Sequence, residues 1–141
     1  MPDFAACFRG FRGRIWRSPI RLAAVYLGIW AFALVVFLLM DPTDAMGYAL
    51  LFHWLLLPMA GFVISLRIGQ LVCRGGRVWL LPLALGGLYM LADFATFRVA
   101  NMIAFDKINM PHWELFFIGA AISALGLIIG RLLGRRKSTP A

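Results

Sequence analysis

Four long apolar stretches alternate with short polar segments along this chain. No Asp, Glu, Lys or Arg occurs between Arg21 and Asp41, between Asp44 and Arg67, between Arg77 and Asp93, or between Glu114 and Arg131. A helix of about 20 apolar residues crosses a hydrocarbon core of about 30 Å. The pattern therefore predicts spans at about 22–40, 45–66, 78–99 and 111–133. The expected fold class is an all-α integral membrane protein, a four-transmembrane-helix bundle of two consecutive hairpins with both termini on the cytoplasmic side.

Local signals sharpen the boundaries. Ser18-Pro19 reads as an N-cap followed by proline at the first helical position. Residues 41–44, DPTD, form a tight turn in which Asp41 or Asp44 is expected to cap the second span. Pro58 removes a backbone donor and crowds the preceding turn, so a kink is expected there. Pro82 and Gly86-Gly87 are expected to bend the third span. The stretch from Val78 to Phe105 is 28 residues, about 42 Å as a helix, which exceeds the hydrocarbon core. Protrusion with some bending is the expected solution. Pro111 is expected to start the fourth span, with Glu114 in its first turn. Three domains follow: residues 1–21 as a basic cytoplasmic segment, 22–133 as the transmembrane domain, and 134–141 as a basic tail.

Charge gives orientation. Twelve of the fourteen Lys and Arg residues fall in the N-terminal segment, the 67–77 segment and the C-terminal end, while Asp41, Asp44, Asp106 and Glu114 fall in the other two loops. The positive-inside rule then places both termini and the 67–77 segment in the cytoplasm of a cell inner (plasma) membrane protein. Tyr48 and Trp113 are expected at the outer interface and Trp16 and Trp79 at the inner one. Trp30 and Trp54 lie deeper and require a packing partner or a cavity.

Composition agrees. The chain is 141 residues long, 62% hydrophobic and 14% charged, with net charge +8 and mean hydropathy +0.85. Soluble domains are nearer half apolar and a quarter charged. So basic a soluble protein would point to nucleic acid, but the topology accounts for the charge and no nucleic-acid partner is expected. Cys7 and Cys73 have no metal-like spacing and fall on the reducing side. No metal and no cofactor is expected.

Residues 1–21 carry Arg9, Arg12, Arg14, Arg17 and Arg21, with Phe4, Phe8, Phe11 and Ile15 at helical spacing. Two readings stand: an amphipathic helix on anionic lipid contacting head groups through those arginines, or a disordered basic tail that sets topology. Gly119, Ser123, Gly126, Gly130 and Gly134 form an extended small-residue stripe on the fourth span, and Gly61, Ser65 and Gly69 form another on the second. These faces suit close packing, either within the chain or against a second copy or a different membrane protein. Ala24, Gly28 and Ala31 give the first span a small face of its own.

The candidate polar site is Asp93, His53, Arg98 and Asn101. A carboxylate in lipid must face protein or water. Arg98 stands five residues from Asp93, about 140° around an α-helix, so it is expected to snorkel outward. His53, about 12 Å into the second span, is the expected partner of Asp93, with Tyr89 and Thr96 as further candidates. A carboxylate–histidine pair can exchange protons near neutrality. No catalytic residues are expected: there is no HExxH, GxSxG or phosphate loop, and Ser65 and His53 lie about 18 Å apart along one helix. Two functions follow. The leading one is a non-enzymatic accessory or regulatory subunit docking through its small-residue faces. The alternative is a small oligomeric proton- or ion-coupled transporter or channel that uses Asp93.

Overall fold

A computed structural model describes residues 18–71 and 76–137. Residues 1–17, with Arg9, Arg12, Arg14, Arg17, Trp16 and Cys7, and also Cys73, lie outside the described residues. What is described is helical, with no strand. Four helices are long and apolar enough to cross a membrane: α1 (Pro19–Leu39), α2 (Ala45–Leu71), α3 (Leu80–Phe105) and α4 (Trp113–Lys137). This is a multi-pass membrane protein.

The boundaries follow local chemistry, with corrections. Ser18 holds the N-cap position of α1, but its side chain makes no capping bond; its carbonyl accepts from Leu22 N–H at 3.1 Å. Pro42–Asp44 forms a single 3₁₀ turn, and Asp44 sits before α2 without a side-chain cap. Helix α2 continues past residue 66 to Leu71, and a 3₁₀ turn at Gly76–Trp79 leads into α3. Helix α4 begins at Trp113, two residues after Pro111. The long third stretch stays helical to Phe105 and ends where Asp106 adopts a left-handed backbone, φ 51°.

Two segments depart from α-geometry. Ala49–Leu56 within α2 and Phe94–Arg98 within α3 are π-helical. The first ends just before Pro58, which has no N–H for the Trp54 carbonyl and whose ring crowds it. A widened turn relieves that crowding, and Leu57 N–H bonds back to the Phe52 carbonyl, five residues earlier. Proline is thus accommodated by a π segment inside a continuous helix.

Packing explains which helices meet. Lipid is as apolar as leucine, so close van der Waals contact and interhelical hydrogen bonds hold the bundle. Helix α4 lies against both α2 and α3. At Gly126 and Gly130 a Cβ would run into the Phe62 and Leu66 carbonyls of α2, and at Gly69 it would meet the Leu127 carbonyl at 2.5 Å. Gly86 of α3 and Gly119 of α4 approach equally closely. The small-residue stripe of α4 therefore serves packing inside the chain. Helix α1 rests on α2 by a narrower face, through Leu22, Tyr26 and Ala33, and Gly61 meets the Tyr26 ring. One core cluster joins Leu22, Tyr26, Ile64, Ile68 and Leu85; a second joins Leu57, Tyr89 and Ala92 with Trp30 and Leu115 against it.

Polar groups inside the bundle are tied. Ser65 and Ser123 share a buried 2.7 Å hydrogen bond between α2 and α4. Trp30 Nε1 donates to the Leu88 carbonyl at 2.7 Å. Tyr48, expected at an interface, is buried and donates to the Ala33 carbonyl at 2.9 Å. Trp54 is 63% exposed and faces away from the bundle. Interhelical side-chain hydrogen bonds in membranes average about 0.6 kcal/mol. Ser65→Ala and Ser123→Ala should each lower stability by about that amount, and the double variant by no more than either. Unfolding titration in mixed micelles of the four proteins checks this; full additivity would deny the bond.

Candidate functional site

The turn at 41–44, the 106–112 loop and the last turns of α3 gather at one end of the bundle, where His112 reaches Asp93 and Met40 and Ala45 neighbour Asn101. Asp93 is the centre of a four-residue polar cluster there. Its Oδ1 lies 4.0 Å from His53 Nε2 of α2, and its Oδ2 lies 3.7 Å from Arg98 Nε and 4.0 Å from His112 Nδ1. The Asp93, Arg98 and His53 side chains are 13%, 18% and 6% exposed, whereas His112 is 57% exposed. The cluster thus runs from the surface at His112 to the interior at His53.

Arg98 does not snorkel away. The expectation that it lies on another face assumed α-helical spacing. The π segment at 94–98 bonds residue i to i+5, which stacks residues five apart on one side. Asp93 and Arg98 are such a pair, and the π turn brings them together. Tyr48 and His53 on α2 are also five apart, across the other π segment, and both are buried. Widening a helix disturbs carbonyls at its onset. Thr96 Oγ1 answers two of them, donating to Ala92 O at 2.8 Å with Asp93 O at 3.4 Å.

The His53 ring is fixed on two sides. Tyr89 stacks on it with centroids 4.6 Å apart and planes 11° from parallel, and Phe97 meets it edge-on at 6.3 Å. Tyr89 also donates its hydroxyl proton to the His53 carbonyl at 3.1 Å. His53 Nε2 and Asp93 Oδ2 are buried without a hydrogen-bond partner. At 4.0 Å, Nε2 and Oδ1 stand about 1 Å beyond hydrogen-bond reach. A small approach of α2 and α3 would close that gap.

Arg98 also approaches His112: its Nη2 is 2.6 Å from Nδ1 and contacts Nε2. A guanidinium only donates, so the ring nitrogen is the acceptor in this contact. Arg98 and His112 thus stand together beside one carboxylate oxygen, Asp93 Oδ2.

Of the sequence candidates, Asp93, His53 and Arg98 come together. Asn101 is exposed one turn further on, facing a groove beside α1. His112 was not singled out from the sequence, because it lies in a polar loop fourteen residues from Arg98 and no local pattern links them. Among the described residues no group of three or more His, Cys, Asp or Glu side chains is arranged to hold a metal ion.

Comparison with protein-family models, with curated proteins and with solved structures finds nothing that matches this chain.

Proposed function

We propose that this is a small, non-enzymatic, proton-translocating membrane transporter in which Asp93 binds and releases the proton. The observation that carries the proposal is the cluster itself: a nearly buried carboxylate held between a buried histidine, a surface histidine and an arginine. Ionisable groups are costly within a membrane and mark ion and proton pathways. Two of them here, His53 and Asp93, each have a buried polar atom with no hydrogen-bond partner in the protein. In the proposed step a proton enters from the aqueous side past the exposed His112. Asp93 accepts that proton, and approach of α2 then offers it to His53 Nε2. With the basic segments read as cytoplasmic, the cluster faces the outside of the plasma membrane. A two-copy or larger assembly would complete the path toward the other side.

Reconstitution tests this. Vesicles carrying an imposed pH gradient should dissipate it about tenfold faster with the wild-type protein than with Asp93→Asn, which keeps shape but cannot ionise. Equal rates would remove Asp93 from any proton pathway.

A second reading, the accessory subunit, retains one specific observation. Gly119, Gly126 and Gly130 of α4 are engaged internally, but Ala24, Gly28 and Ala31 of α1 are exposed, and a Cβ added at Gly28 meets nothing within 4 Å. A partner helix would dock there rather than on α4, with anionic lipid at the basic N-terminal segment. Crosslinking through Gly28→Cys in native membranes separates the readings: a heterologous adduct favours the subunit, and a homodimer favours the transporter.

A further inference from the structure

Beside the proton site, the ends of α1 and α3 and the start of α2 leave a groove of about 480 Å³. That volume is within the range of small-molecule sites, about 300–1,000 Å³. Its walls are Phe37 of α1 and Met40 just beyond it, Ala45 of α2, and Phe97, Asn101 and Ala104 of α3. No charged side chain lines it. Small residues make the space: Ala45 and Ala104 stand where larger side chains would close it. Phe37 and Phe97 meet edge to face with centroids 5.4 Å apart. Phe97 also lies against the His53 ring, so a single side chain separates the groove from the proton site.

The segments that flank these lining residues in sequence are net acidic. Asp41 directly follows Met40, Asp44 directly precedes Ala45, and Asp106 comes two residues after Ala104. All three are exposed, and Lys107 is the opposing charge in these segments. Arg98, the next cation along α3, is turned to Asp93 and His112. An apolar, aromatic-walled groove flanked by acidic segments selects against anionic lipid and anionic solutes by repulsion. It favours a cation that carries its own apolar surface, is weakly hydrated, and gains from aromatic faces.

We infer that this groove binds a lipophilic cation, such as a quaternary ammonium or phosphonium compound, as the second solute of the proposed transporter. This rests on the transport reading for its role, but binding itself requires no proton movement. The apolar body lies against Phe37 and Phe97, the charge points to the flanking Asp41, Asp44 and Asp106, and Asn101 lines the same space. Phe97 gives the mechanical link: a ligand pressing on it presses on the wall of the His53 site.

The probe is tetraphenylphosphonium, with tetraphenylborate as its near-isosteric anion. Binding is read by equilibrium dialysis against nanodiscs of zwitterionic lipid, with empty discs as baseline. Protein-loaded discs should hold tetraphenylphosphonium above the baseline and tetraphenylborate at it. Ala104→Leu, at an exposed position, should weaken cation binding about tenfold by filling the groove. Asp41→Asn with Asp44→Asn should weaken it about threefold to tenfold and reduce its salt dependence. Ala100→Leu, also at the groove and exposed, provides a second filled variant should Ala104→Leu fail to fold. Cation binding at the empty-disc baseline, equal excess binding of both ions, or full affinity in a folded groove-filled variant would each overturn the inference. Binding that persists while Asp93→Asn leaves proton flux unchanged would overturn the transport reading alone. Lost flux in Asp93→Asn with no cation binding would overturn the groove alone.

Discussion

Replacing Gly130 by alanine should destabilise the bundle more than any other single methyl addition along α4. A Cβ at Gly130 would be driven into the Leu66 carbonyl and crowd its Cα and carbonyl carbon as well. These are backbone atoms of a packed helix, so no side chain can swing aside, and α2 and α4 must part. Overpacking costs about 1–3 kcal/mol and occasionally more. The gain in helix propensity from glycine to alanine is about 1 kcal/mol, so with a cost at the upper end of that range a net loss of about 1–2 kcal/mol is expected, and a larger one for Gly130→Leu. Gly28→Ala supplies the contrast. It adds the same methyl group with open space around it, and should be neutral or stabilising by up to about 1 kcal/mol. Thermal unfolding in mild detergent, followed by circular dichroism, ranks the variants. If Gly130→Ala were no less stable than Gly28→Ala, α4 would not be packed on α2 in this way.

That contrast shows what could be read beforehand. Spacing of four among Gly126, Gly130 and Gly134 announces a face for close approach, but a face carries no address. The partner is set by what α2 offers at the same depth: Gly69, Ser65 and the carbonyls of Phe62 and Leu66. Only the paired stripes together decide between an internal and an external fit. The four spans were legible because charge-free length is a direct consequence of the bilayer's thickness. Their ends were legible to within a few residues, since helices continue beyond the lipid wherever loop side chains permit. At the far end of α2 Arg67 reaches Gln70 at 3.3 Å and the helix runs on to Leu71.

The polar site was legible in part. Asp93 and His53 stand out because lipid offers neither of them a partner, and the fold places them 4.0 Å apart. Arg98 was misplaced because its position depends on a change of helix type. The clue was present in the spacing: a lone acid and a lone base five residues apart in an apolar run are out of phase on an α-helix and in phase on a π turn. His112 had no such clue, since a loop residue reaches its site by tertiary folding.

The Asp93–Arg98 pair makes the second large effect. Arg98→Ala should cost more than the removal of an exposed ion pair, which is worth about 0–1 kcal/mol, and less than the about 3–5 kcal/mol for breaking a fully buried one. Both side chains are mostly buried, at 13% and 18% exposed, but His112 on one side is open to water and stands ready as a second partner. A loss of about 2 kcal/mol is the expected middle. Asp93→Ala should cost a similar amount, because it strands the guanidinium. The double variant should recover about 1–2 kcal/mol of the summed loss, since neither charge then remains without its counterpart. His112→Ala should cost little alone, being exposed, but should cost more in the Arg98→Ala background, where it is the remaining cation-forming group on the open side of Asp93. Chemical unfolding of the five variants in the same micelles measures all these differences. Additive losses for Asp93 and Arg98 would mean that the π turn brings the two side chains near one another without coupling them. The part given to Arg98 beside Asp93 in the proposed proton exchange would then have no energetic basis.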